Sequence, residues 1–448
     1  MNSDPGKLTD IVFSPSDIID AIEDISPNAA PGPDGFPAIF LTNCKDELAI
    51  PLYLIWRQSL DETITPSSVK QSLICPIHKG DNTALSKNYR PVALTSHLVT
   101  LFEKIVRKHI VDYLDQNHLF NPSQHGFRSG ISSCLSQLIA HYDKVLSILE
   151  KGSNVDVIYL DFAKAFDKLD LNITLKKLKH LGVDGKIGRW LHSFLTNRHQ
   201  TVVVNGEKSE PAPVISVVPQ GSVIGPLLFL ILIGDIDKEV AHAFLSSFAD
   251  DTRIGKEIAT PEDAILLQQD LEKVYQWAST NNMLFNDSKF ELLRYGQNIP
   301  LQQSTTYVSN TNEQLETKTS TKDLGVTMSA SAEFNEHIDS ITDTVKVLTV
   351  WILRSFKTRS KTVMLQLWKS IVIPRLDYCS QLWNPSKVYL IQQLEELQKN
   401  FVRRIHGFGS MDYQTALKEL KLYSLQRRRE RYQIIYLWSI IESHVPNI

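Results

Sequence analysis

The chain is 448 residues long, 42% hydrophobic and 22% charged, an ordinary globular composition with room for two or three domains and far from wholesale disorder. Its polar N-terminus, its lack of any apolar run near the roughly 20 residues a bilayer helix needs, and its four scattered cysteines (Cys44, Cys75, Cys134, Cys379) exclude secreted, membrane-spanning and zinc-finger readings and point to a reduced intracellular chain. The net charge of −3 is unevenly spread: residues 346–431 carry +11 and the remainder about −14.

Ser14-Pro15-Ser16-Asp17 is a helix start, with a capping hydroxyl, proline at the first helical position and an acid in the first turn. Ile18, Ile19, Ala21, Ile22 and Ile25 follow at helical spacing, and the helix stops before the turn-rich loop Asn28 to Gly35. Amphipathic helices are expected over Glu47–Leu60, His97–Leu114 and Ser132–Glu150. Val155–Leu160 reads as a strand ending in Asp161, and Thr201–Val204 and Val214–Val218 as further strands. Ser246–Ile254 is a short apolar segment interrupted by Asp250-Asp251. Pro261–Thr280 returns to helix; Asn282–Arg294 and Lys322–Met328 read as strands with turns. From about Ala332 the pattern is helical, with Leu348, Trp351, Ile352, Val363, Leu365, Leu367 and Trp368 as core candidates. A basic tail on an acidic body is the footprint of a phosphate-backbone grip, and equally of a solvated helical surface.

The acids carry the chemistry. Asp161 closes an apolar strand, where a lone carboxylate is costly without a partner. Adjacent acids on a strand face opposite ways unless a tight hairpin turns both toward one edge. Three gathered carboxylates repel, and divalent cations stabilise their ionised form most simply. Two Mg²⁺ held in this way stabilise the attacking and leaving oxygens of an in-line phosphoryl transfer. Acids that merely occupy turns are the plainer alternative.

Phe248-Ala249-Asp250-Asp251 resembles the (Tyr/Phe)-Ala-Asp-Asp signature of reverse transcriptases. Asp161-Phe162-Ala163-Lys164-Ala165-Phe166-Asp167 resembles that family's first acidic motif, and Pro219-Gln220-Gly221 through Phe229 is similar to its glycine-bearing helix motif. Pro76 to Asp81 and Asn88-Tyr89-Arg90-Pro91-Val92 resemble its finger segment; Gln124-His125-Gly126-Phe127-Arg128 and Lys322-Asp323-Leu324-Gly325-Val326 also fit. The loop Pro31-Gly32-Pro33-Asp34-Gly35 is similar to that of the non-LTR (LINE-type) retrotransposons. Pro374-Arg375-Leu376-Asp377-Tyr378 with Trp383-Asn384-Pro385 resembles the thumb of their jockey-like members.

The resemblance implies an α+β, right-hand polymerase fold: fingers, a palm of antiparallel strands backed by helices, and a helical thumb. It divides the chain into an N-terminal extension (1–66), fingers and palm (67–330) and a basic thumb and C-terminal region (331–448). It implies that Asp161, Asp250 and Asp251, with the Phe162 carbonyl, bind two Mg²⁺ ions, Mn²⁺ being a substitute. Phe166 corresponds to the gate that selects deoxynucleotides, Lys79 and Arg90 to the cations on the incoming triphosphate, and Gln220 and Gly221 to the floor beneath the nascent base pair. Lys289 fits the position that protonates pyrophosphate or contacts a phosphate, and Leu324-Gly325 the primer grip. The implied partners are an RNA template with a DNA primer, dNTPs and a separate endonuclease, with no membrane, and the implied place of action is the nucleus, with the cytoplasm as the alternative. Arg427-Arg428-Arg429-Glu430-Arg431 is either part of the hybrid grip or a nuclear-import cluster.

The chain departs from the family pattern at Val217, Gly234-Asp235 and Asn28, none a catalytic group. The roughly 70 residues before the fingers are too few for the upstream endonuclease of such elements, so the polymerase portion alone is expected. A non-catalytic remnant that binds nucleic acid is the alternative, and a group II intron maturase is disfavoured by the loop and thumb motifs.

Overall fold

A computed structural model describes residues 6–80, 82–121, 123–124, 126, 133–163, 165–166, 168–214 and 218–442. Asp81, His125, Phe127, Arg128, Lys164, Asp167 and Val217 of the motifs above lie outside the described residues. The chain forms two compact units, each from three stretches: Met1–Phe127 with Phe162–Ala241 and Glu272–Asn286, and Arg128–Asp161 with His242–Leu271 and Asp287–Ile448. Both mix helices with sheets, so the chain is α+β as expected.

In the first unit, Ser14 and Asp17 form the expected capping box at the start of the helix Pro15–Glu23, the Asp17 carboxylate accepting from the Ser14 N–H at 2.8 Å. The helices Lys45–Glu62, His97–Gln116 and Gly185–Leu195 supply an aromatic core. Trp56 stacks on Phe102 (4.9 Å between centroids, 6° between planes), and Phe102 meets Trp190 edge-on (4.9 Å, 87°). A five-stranded sheet is built on Gln71–His78, which pairs antiparallel with Tyr89–Thr95 and parallel with His199–Val204. The strand expected at Val214–Val218 falls instead at Ala212–Pro213, on the edge of this sheet, where a proline's missing N–H is tolerated; residues 215–217 are outside the described set. The longest apolar run becomes the helix Gly225–Ile233, which is apolar all round and therefore buried all round except at Pro226.

The second unit is built on a sheet ordered Glu316–Lys318, Glu291–Tyr295, Asn154–Leu160, Asp251–Ile258, Phe244–Phe248. Asn154–Leu160 is its middle strand, antiparallel to both neighbours, which is why its side chains are almost continuously buried. Phe244–Phe248 and Asp251–Ile258 form a hairpin closed by the pair Phe248↔Asp251, leaving only Ala249-Asp250 in the turn. A separate two-stranded hairpin, Ser320–Asp323 with Val326–Ser329, precedes the long helix Asn335–Ser355. Val155, Val157 and Leu293 of the sheet share one core with Val345, Ile352, Met364 and Trp368 of the helices. Trp351 is a correction: it is 51% exposed, because the helix turns Val345 and Ile352 inward and leaves Trp351 on the outer face. Among the described residues no helix is long and apolar enough to cross a membrane.

Candidate active site

In the second unit the hairpin resolves how adjacent acids share one edge. Ala249 adopts φ +55, a conformation costly for a residue with a Cβ, and the turn places Asp250 at the tip while Asp251 opens the next strand. The last pair between the two strands, Leu160↔Thr252, stands beside Asp161 and Asp251, and both acids line one cleft. The Lys289 Nζ donates to the Asp161 carboxylate at 3.0 Å. Both side chains are exposed, so that pair is worth at most about 1 kcal/mol and exchanges easily for another cation. Partial desolvation, and after it the charges of Asp250 and Asp161, raise the Asp251 carboxyl above its usual range; the Arg253 guanidinium opposes them.

Among the described residues, no three His, Cys, Asp or Glu side chains stand ready-made as a metal cluster. What the structure offers is a set of hard oxygen donors that feel one another's charge, with an ammonium on one of them. That fits an ion which keeps most of its water and is completed by substrate phosphate.

Asp161, Asp251 and Lys289 line a cleft of about 130 Å³ together with Lys322, Asp323 and Leu324. Leu324 and Gly325 form a two-residue turn with φ +44 and +86, between the paired Asp323 and Val326. Glycine is the default in such a turn, whereas Leu324 holds a left-handed conformation that is costly for a residue with a Cβ. The Tyr378 hydroxyl donates to the Leu324 carbonyl at 2.6 Å, tying the turn to the segment after Pro374. Sequence reasoning missed Arg253 and Asp323, which form a buried ion pair in the wall of this cleft. The available signal was an arginine two residues after Asp251, on the same strand face.

In the first unit, Lys79 follows the strand Gln71–His78, and its N–H donates to the Asn88 carbonyl at 2.8 Å. Arg90 pairs with Ile77 across the same hairpin, so the two exposed cations extend from one face of its end. The Gln220 carbonyl accepts from the Ala93 N–H at 2.7 Å, pressing the Pro219-Gln220-Gly221 turn onto the strand that carries Arg90. Gly221 is required there: it has φ +126, and a Cβ would lie 2.7 Å from the Ala93 carbonyl oxygen. Glu103, another residue missed in sequence, is fully buried and accepts from the Ile224 N–H at 3.1 Å, just behind this turn. Phe166 is half-buried, its ring 4.9 Å from that of Phe229. Phe162 stacks on Phe285 (4.5 Å, 27°) and is bridged to it through the backbone.

The late motifs of the second unit hold its last helix, Leu425–Ile441. Asp377 takes a two-pronged contact from Arg428 (Nε–Oδ1 2.8 Å and an Nη–Oδ2 distance of 2.7 Å), and the Asn384 side chain accepts from Arg429 at 2.9 Å. Arg429 is 2% exposed. Half of the Arg427–Arg431 cluster is therefore structural, whereas Arg427 and Arg431 lie outward over the Tyr423 ring.

A family model of reverse transcriptases (RNA-dependent DNA polymerases) matches residues 77–328, more than half of the chain. The chain is 25% identical to the probable RNA-directed DNA polymerase from transposon X-element of Drosophila melanogaster, over 92% of this chain and 46% of that one. It is 26% identical to the RNA-directed DNA polymerase from mobile element jockey of the same organism, over 90% and 45%. The chain thus spans about half the length of the curated relatives it matches. A solved telomerase from Candida albicans, in complex with a fragment of telomeric RNA, superposes with a TM-score of 0.44 and 12% identity, over 84% of this chain and 70% of that one. The matched segment runs from the strand before Lys79 to the strand after Leu324-Gly325, taking in the acidic hairpin on the way, and the chain belongs to the reverse transcriptase (RNA-dependent DNA polymerase) family, with the α+β right-hand polymerase fold.

Proposed function

We propose that the chain is the polymerase portion of a non-LTR, jockey-like reverse transcriptase, extending a primer 3′-hydroxyl with dNTPs on an RNA template. The observation that carries this is the meeting of Asp161 with the Asp250-Asp251 hairpin where the middle strand of a buried sheet ends, beside Lys289 and the Leu324-Gly325 turn. The names of the X-element and jockey relatives support it.

In this reading Asp161, Asp250 and Asp251, with the Phe162 carbonyl, hold Mg²⁺, or Mn²⁺ in its place. When bound, the metal stabilises charge on the attacking and leaving oxygens. Lys79 and Arg90 bind the triphosphate, a point charge and a planar fork on one polyanion. Gln220 and Gly221 support the nascent base pair, and Phe166 stands where a 2′-hydroxyl would clash. Lys289 gives a proton to the departing pyrophosphate or neutralises it, and Leu324-Gly325 orients the primer end. Residues 1–66 act as an N-terminal extension, 67–330 as fingers and palm, and 331–448 as a basic thumb that holds the RNA–DNA hybrid through its phosphates. A separate endonuclease supplies the nick, and the chain works in the nucleus.

Primer extension on an RNA template, with Asp250→Asn as control, tests the reading. Mg²⁺-dependent extension that is lost in the variant is the expected result. Salt-sensitive hybrid binding without any extension would replace the enzyme with a non-catalytic binder.

A further inference from the structure

The two hairpins of the second unit belong to different sheets, so no ladder of backbone hydrogen bonds sets one against the other. Side chains must do it. Arg253 lies two residues beyond Asp251 on the same strand face, and Asp323 is the last residue before the Leu324-Gly325 turn. Their guanidinium and carboxylate form an ion pair in which both side chains are only 2% exposed. Arg253 is itself anchored: it pairs across the sheet with Tyr159 and Ser246, and its Nε lies 3.5 Å from the Ser246 hydroxyl. That hydroxyl accepts from the Gln137 side chain at 2.5 Å. On the other side, the turn is held by Tyr378, and Thr321 bonds to Glu291.

Such a pair is poorly explained by stability. Two charges removed from water regain in attraction about what they lose in hydration, and apolar residues of similar volume often serve the fold as well or better. What the ion pair adds is a specific contact: buried opposite charges fix which residues of the two hairpins meet, where apolar side chains could pack in more than one way. The pair lines the same cleft as Asp161, Asp251, Lys289 and Leu324.

We propose that Arg253 and Asp323 are positioning residues: a strut that fixes the spacing between the acidic hairpin and the Leu324-Gly325 turn, and so sets the primer 3′ end against the acids. This rests on the polymerase reading above. The strut touches neither nucleotide nor primer; it acts through the two hairpins that do.

The decisive variant is the double replacement Arg253→Met with Asp323→Leu, which leaves no unpaired buried charge. Three quantities are measured: melting temperature, hybrid Kd, and the single-turnover extension rate at saturating hybrid and dNTP. The expected result is a folded protein with unchanged hybrid Kd and a rate lower by roughly tenfold to a hundredfold, the loss that a misplacement near 1 Å produces. Arg253→Lys, which keeps the charge without the fork, falls between the double variant and wild type. A folded double variant that extends at the wild-type rate overturns the strut. If the double variant does not fold, Asp323→Asn decides on the same comparison, since it keeps shape and one acceptor, and a wild-type rate in it overturns the strut equally. A wild-type chain that extends no primer overturns the polymerase reading and the strut with it, an outcome distinct from an active wild type with indifferent variants.

Discussion

Glu103→Gln is expected to remove a pH dependence of stability that the wild-type chain carries between the weakly acidic and neutral ranges. The Glu103 side chain is fully buried on the helix His97–Gln116, and burial pushes its carboxyl up to about 7 from an ordinary 4.5. The N–H groups of Ile224 and Val223 and the charge of Arg198 pull it back only in part. A carboxyl with a higher pKa when folded than when unfolded binds its proton more tightly in the folded state. Its neutral form therefore costs nothing below about 4.5, and stability falls as pH rises through the window up to about 7. The full shift corresponds to about 3 kcal/mol, of which roughly 2–3 kcal/mol is lost between about pH 5 and pH 8. Glutamine keeps the shape and an acceptor for Ile224 without the charge. Guanidinium denaturation of both proteins at the two pH values, followed by tryptophan fluorescence, measures this, because Trp56 and Trp190 are buried around Phe102, the residue next to Glu103. Other groups titrate in the same range, so the informative quantity is the difference between the two proteins. An identical fall in stability in wild type and Glu103→Gln would refute the argument.

Gly221→Ala would force a Cβ against the Ala93 carbonyl at φ +126; a loss of about 1–3 kcal/mol in the melt and a raised dNTP KM are expected, with hybrid Kd unchanged. Arg428→Ala leaves the Asp377 carboxylate without its two-pronged partner, so calorimetry should show destabilisation of about 1–3 kcal/mol. Arg427→Ala, on the exposed side of the same helix, should leave stability within about 0.5 kcal/mol while lowering the salt dependence of hybrid binding by about one counterion. Lys289→Met should cost no more than about 1 kcal/mol of stability, its pair with Asp161 being exposed, yet slow single-turnover extension; an unchanged rate would remove Lys289 from the chemistry.

The sequence by itself determined most elements whose signal is local. The helix Pro15–Glu23 follows from Ser14, Pro15 and Asp17, and Pro261–Thr280 from its own periodicity, because caps and helical spacing are short-range physics. The acids were legible for a related reason: a carboxylate at the end of an apolar strand is anomalous wherever that strand lies. Trp351 was misplaced because periodicity marks an apolar residue without saying which face of the helix has a neighbour. Tertiary structure alone decided that Asp161 and Asp251 line one cleft, since strand register joins segments about 90 residues apart. It alone showed that Glu103 sits behind the Gln220-Gly221 turn, that Arg428 and Arg429 serve the fold, and that Arg253 meets Asp323. A charged residue reads alike in sequence whether it faces water or a buried partner; only the chain's return to the same place supplies the partner.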